Sequence, residues 1–261
     1  MATVILIPAR AGSKGVKNKN LLQIQGTSLV LRSLIHAEYM ARKEMRICIS
    51  SDSFKILSIC AKYLKFKLKK KDFRESIYVH DRKYIFHLRP KSLAQDESLV
   101  IDLIKCLQIK ICEFGFDISN WLLLQPTSPF RSKKEMAKLR KVLSDNKDNQ
   151  DISLVSVKQV NENHPARMYT SQGIGNLRPL KQFNSHYFSR RQDLPIVFIR
   201  DGGFYIIGSN LVLNSSQYSQ NPIPLIREHP WNINIDSLND LFLARGVSKS
   251  QLSEDPNSKG N

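Results

Sequence analysis

Between Pro8 and Asn20 the chain reads PARAGSKGVKNKN, which sets Arg10, Lys14, Lys17 and Lys19 around Gly12 and Gly15. Small residues let a backbone approach a ligand closely, and four cations at that spacing suit a triphosphate. The segment is neither GxxxxGK[ST] nor GxGxxG, so it is not a Walker or dinucleotide loop. A basic surface loop would need no more than these same residues. Further on, Leu122 to Arg131 reads LLLQPTSPFR, an aliphatic run delivering Gln125, Thr127 and Ser128 into a turn stiffened by Pro126 and Pro129. Amide and hydroxyl groups held in this way can hydrogen-bond a sugar and its carboxylate, although Ser128 could also simply cap the next helix. Near the end, INIDS places Asn234 and Asp236 two residues apart. Asp236, like its neighbour Ser237, could cap the helix that follows.

These loops need a frame. Val4 to Ile7 is a β-branched run stopped by Pro8, as expected of a buried parallel strand. Leu31, Leu34 and Ile35 then predict a helix reaching Arg42, followed by a strand over Arg46 to Ser51. The alternation continues with a helix to Tyr63, a strand over Ile85 to Leu88 and a helix marked by Leu99, Leu103, Leu107 and Ile111. Trp121 to Leu124 predicts a strand, Ser132 to Leu143 a helix, and Ile152 to Val157 another strand. The pattern is that of an α/β chain with an open, mostly parallel sheet flanked by helices, whose ligands gather at the strands' carboxyl ends. Residues 158–194 lack periodicity and read as an insertion or arm. Strands over Phe198 to Ile207 and Trp231 to Ile235 and a helix from Leu238 to Ala244 follow, and the tail over 246–261 is expected to be disordered.

At 261 residues and 41% hydrophobic content the chain can bury one large core. No apolar stretch approaches the roughly 20 residues of a membrane helix, so the expectation is a cytoplasmic protein. Cys48, Cys60, Cys106 and Cys112 lack CxxC spacing, which argues for free thiols rather than disulfides or a zinc site. The formal charge of +17 favours polyanions without choosing among them, and KYLKFKLKKK from Lys62 to Lys71 reads as an amphipathic surface segment.

Six separated segments, in order, resemble the CMP-sialic acid synthetases and related acylneuraminate cytidylyltransferases: IPARAGSKGVKNKN, LRPKSLAQDES, LLLQPTSPFR, RRQDLP, RDGGFYI and INIDS. The resemblance runs from Val4 to about Ala244 and is poor over 65–86. It implies a Rossmann-like sheet of the nucleotide-diphospho-sugar transferase type, with 158–194 as a small dimerisation insertion and a homodimer as the assembly. By the same resemblance, Arg10, Ala11, Gly12, Ser13, Lys14, Lys19 and Asn20 would bind nucleotide, with Arg10 and Lys19 on its phosphates, and Arg89 and Ser98 would line the cytosine pocket. Leu99 and Val100 stand where relatives often have a serine. Gln125, Thr127, Ser128, Arg167, Arg191, Gln192, Phe204 and Tyr205 would bind the sugar, Arg191 pairing with its carboxylate. Without that resemblance, Phe204 and Tyr205 read as a strand with one residue in the core. Asp236 and Asn234 would hold Mg2+ or Mn2+, although the family's DIDT pattern has an aspartate where Asn234 stands, and Asp201 replaces the usual asparagine.

The implied reaction transfers CMP from CTP to the anomeric hydroxyl of a nonulosonic acid and releases pyrophosphate, with Arg10, Lys19 and Asp236 as the catalytic set. No side chain is an obvious general base, and a metal-bound sugar hydroxyl with a lowered pKa is the expected nucleophile. Alternatives are transfer to an eight-carbon ulosonic acid of the KDO type, which shares fold and reaction, and a basic nucleic-acid-binding protein. The latter has the charge but no RRM signature, zinc spacing or stacking platform.

Overall fold

The computed structural model of the protein describes residues 1–12, 16–160, 162–171, 173, 175–180, 190–228, 231–247, 251 and 253–258. Strand β1 (Ala2–Pro8) buries every residue from Thr3 to Ile7 because parallel partners flank it on both sides, β4 (Arg46–Ser51) and β7 (Ile118–Leu123). A two-residue hairpin, β2 (Gln23–Ile24) and β3 (Thr27–Ser28), turns at Gly26 (φ +81°) and leads into α1 (Leu29–Met40). Helix α2 (Phe54–Tyr63) joins β4 to β5 (Ile77–His80) and β6 (Tyr84–Leu88). Helices α3 (Val100–Glu113) and α4 (Lys133–Asp145) flank β7, and β8 (Ser153–Gln159) follows. A fully exposed hairpin of β9 (Tyr169–Ser171) and β10 (Leu177–Pro179) occupies part of the aperiodic stretch, and the chain closes with β11 (Phe198–Gly208), α5 (Ser209–Leu213), β12 (Ile223–Ile226) and α6 (Leu238–Gly246).

The main sheet runs β12-β8-β11-β7-β1-β4-β6-β5. It is mostly parallel as expected, but β11 runs antiparallel to both β7 and β8, and β5 antiparallel to β6. Helices α1, α2 and α4 pack on one face through Leu34, Leu57 and Leu139, and α3 and α5 cover the other through Ile104, Leu107 and Val212. No helix among the described residues is long and apolar enough to cross a membrane.

Two expectations are corrected. Residues 231–235 are not a strand: Ile235 packs with Ile24, Phe130 and Leu241, and its N–H donates to the Thr127 carbonyl at 2.7 Å. Its apolar pattern reflects burial under a loop, and the sheet edge is taken by β12, whose Pro224 is tolerated there. The end of the chain is not wholly disordered either: Asp255 is fully buried against α1, 2.8 Å from His36.

Candidate active site

At the carboxyl ends of β1, β6 and β7 lies a cavity of about 680 Å³, lined by Arg10, Lys19, Arg89, Asp96, Gln125 and Thr127 among others. A second cavity of about 680 Å³ opens beside it, lined by Lys158, Arg200, Gly202, Tyr205 and Tyr218. The two share Ser98, Leu99, Val100, Gln125 and Asn234, so they form one continuous cleft. Parallel strands place their loops at one edge, which is why residues far apart in sequence meet there.

On the first side, Arg10 lies 2.8 Å from Asp96 and also donates to the Gln95 carbonyl. Lys19 pairs with Asp236 at 3.1 Å and donates to the Ile235 carbonyl at 2.8 Å. The loop is tied from below: Asn20 is buried and donates to the Arg10 carbonyl at 2.7 Å, while the Ala11 N–H donates to Asp52. Asn20 therefore fixes the loop as well as lining the cavity. Ala11 and Gly12 lie at its margin, outside the lining, and Ser13 and Lys14 fall outside the described residues. Arg89 is 7% exposed and held by Ser50, whose hydroxyl and carbonyl both accept from it. Burial pushes its pKa down to about 10, which leaves it cationic at neutral pH.

On the second side, Gly202 (φ +77°) passes close to Ser128, which a Cβ would approach to 3.1 Å. Ser128 is buried and donates toward the Asp201 carbonyl and Asn234 Oδ1. Tyr205 reaches the cleft and its pKa is raised to about 12 by burial. Phe204 does not: adjacent strand residues face opposite sides, and its ring is fully buried between the guanidinium groups of Arg131 and Arg227, 5.5 Å from each. Its expected sugar contact is corrected to a core role. Arg167 and Gln192 are exposed and line neither cavity, while the Arg191 side chain lies outside the described residues.

The Asp201 departure has a structural account. Its carboxylate accepts from Arg227 at 3.0 Å and from the Gly203 N–H, while Arg227 also reaches Glu135 at 2.8 Å and the Phe130 carbonyl. An aspartate matches this buried arginine, and Gly203 is needed because a Cβ would lie 2.2 Å from the guanidinium. Sequence reading missed Asp52, Asp96, Arg227 and Tyr218; Asp96 stood inside a quoted motif, whereas Arg227 carried no local signal.

Asn234 donates to Asp236 at 2.7 Å, and no group of three His, Cys, Asp or Glu among the described residues could hold a metal by itself. The Asp236 carboxylate, 67% exposed, suits a hard cation, and the Asn234 amide oxygen could join it once the amide turns from Ser128 toward Asp236.

A mostly parallel sheet with a cationic cleft at its carboxyl edge, joined to a second polar cavity, is an arrangement suited to a phosphate-bearing ligand and a second polar one. A solved CMP:2-keto-3-deoxy-manno-octonic acid synthetase complexed with CTP shares the fold at a TM-score of 0.57 and 13% identity, covering 94% of this chain and 97% of the other. A 4-diphosphocytidyl-2C-methyl-D-erythritol synthase does so at 0.55 and 10%, with the same coverage. The cytidylyltransferase family profile matches residues 4–76 of this chain. A CMP-N,N'-diacetyllegionaminic acid synthase of Legionella pneumophila is 28% identical over 87% of both chains. An N-acylneuraminate cytidylyltransferase of Escherichia coli is 24% identical over 95% of this chain and 52% of its own.

Proposed function

We propose that the protein transfers CMP from CTP to the anomeric hydroxyl of a nonulosonic acid. The observation that carries this reading is the single cleft, cationic at Arg10, Lys19 and Arg89 and continuous through Gln125 and Asn234 with a polar cavity beside Tyr205 and Arg200. The hydroxyl gives up its proton to solvent as its oxygen bonds to the α-phosphorus, the bond to the bridging oxygen breaks, and pyrophosphate leaves with its charge. Arg10 and Lys19 exchange Asp96 and Asp236 for phosphate oxygens and hold that charge in place. Arg89, already fixed by Ser50, faces the nucleotide, and the Gln125 to Ser128 turn aligns the sugar.

Asp236 and Asn234 would hold Mg2+ or Mn2+ with the phosphates. Such an ion would supply charge neutralisation at the phosphates and lower the pKa of a hydroxyl bound to it. The reading includes a homodimer built on the 158–194 stretch, where Met168, Tyr169 and Leu177 are exposed, and a cytoplasmic setting, where CTP is found.

The test is pyrophosphate release with Mg2+ from CTP, ATP, GTP and UTP across nonulosonic acids and the eight-carbon acid. Release with CTP and one nonulosonic acid is expected. Release with the eight-carbon acid alone would replace the substrate, and no release across the panel would overturn the reaction.

A further inference from the structure

Beneath the cleft a buried polar chain connects the end of the polypeptide to the turn carrying Gln125 and Thr127. Arg131 is fully buried and donates to the Gln125 carbonyl at 2.8 Å and the Gly203 carbonyl at 3.0 Å, bridging the two segments that frame the sugar cavity. Its Nη1 lies 3.3 Å from His36 Nδ1. A guanidinium only donates, so Nδ1 must accept and the ring proton sits on Nε2. Nε2–H then donates to Asp255 Oδ1 at 2.8 Å, an oxygen that also accepts from the Asn257 side-chain amide at 3.0 Å. Asp255 Oδ2 accepts from the Arg131 backbone N–H at 3.2 Å and faces Arg32 at 3.6 Å. His36, Arg32, Arg131 and Asp255 are all at most 1% exposed, so water cannot replace a lost partner.

We infer that Asp255 is a positioning residue for the Gln125 to Ser128 turn, acting through His36 and Arg131. The C-terminal segment thereby holds the sugar side of the cleft, some 130 residues away in sequence, in its working shape. Without the carboxylate, Arg32 and Arg131 are left as buried cations short of a partner, His36 loses the group that fixes its tautomer, and the bridge between Gln125 and Gly203 loosens. The kinetic consequence rests on the transfer reaction proposed above; the structural coupling does not.

The experiment uses the full chain carrying Asp255→Asn, which keeps the size and removes the charge. Hydrogen exchange is expected to accelerate at the amides of Ser128 and Gly203 while β4, on the far side of the sheet, keeps its protection. With CTP and the productive sugar acid, kcat/KM for the sugar should fall about 10- to 100-fold while KM for CTP stays within about threefold. Arg131→Lys should give the same split, and the double variant should cost no more than the larger single change. Uniform exchange across the molecule, or unchanged sugar kinetics in a folded variant, would overturn the inference. If Asp255→Asn does not fold, the unaltered protein decides: saturating CTP should slow exchange at Ser128 and also at Asn257, whose N–H bonds Asp255, and an effect confined to Ser128 would overturn it. An inactive unaltered enzyme sinks the transfer reaction alone, because the exchange measurement needs no turnover.

Discussion

The two halves of the cleft are built differently. The nucleotide side hangs on loops that leave parallel strands directly: Arg10 follows β1, and Arg89 follows β6, each two or fewer residues beyond the strand end. The proposed sugar side depends on β11, which enters antiparallel, bulges between Arg200 and Tyr205, and is pinned by Arg131 and by Arg227, itself held by Glu135, from two other segments. Local sequence thus suffices to place cations along one side of the cleft, whereas shaping the cavity beside it needs a buried ion network assembled from distant positions.

The strongest test of this contrast is Arg10→Ala. It should lower kcat/KM by about 100-fold or more with little change in melting temperature, since the side chain is partly exposed and its work is on phosphate charge. Near-normal kinetics in a folded protein would remove the phosphate assignment. Arg227→Met should do the opposite, removing the guanidinium that pairs with both buried carboxylates, Asp201 and Glu135, at a cost of about 3–5 kcal/mol. A melting temperature lower by about 10 °C is the expected reading, and an unchanged one would mean the network does not support the sugar side.

The adjacent aromatics divide the same way. Tyr205→Phe should raise the sugar KM several-fold at constant stability, while Phe204→Leu should lower stability by about 1–2 kcal/mol and leave KM alone. Reversed effects would mean that β11 presents its other face to the cleft. Asn234→Asp would place a second carboxylate beside Asp236 and should steepen the dependence on divalent cation; an unchanged Mg2+ titration would separate this pair from metal binding.

The smallest effect lies under Arg89. His87 is fully buried, hydrogen-bonded to Ser50, and burial pushes its pKa down to about 3. Its folded pKa lies below the unfolded value of about 6.5, so the neutral fold keeps full stability above that pH and loses it as pH falls toward the folded value. From pH 7 to 5 this amounts to at most about 2 kcal/mol, and His87→Gln should flatten that part of the thermal stability profile. An equal slope in both proteins would place the acid sensitivity elsewhere.

Sequence alone was enough for the alternating frame and for most of the nucleotide side, because β-branched runs, prolines at strand ends and cation-rich loops are signals carried within about 15 residues. It marked Gln125, Thr127, Ser128 and Tyr205 as well, and all but Ser128 line the cleft. What it misplaced has a common cause. Phe204 and Tyr205 differ only in which way a strand faces, and the direction of β11 is set by partners it meets only in the folded sheet. Trp231 to Ile235 looked like a strand because burial, not strand pairing, selects apolar residues there. Asp255 sat in a polar tail with no periodicity, yet the fold buries it completely. A buried carboxylate is chosen by the charge of the cavity that receives it, here made by Arg32, His36 and Arg131 on segments remote in sequence, and that cavity exists only once the tertiary structure has formed.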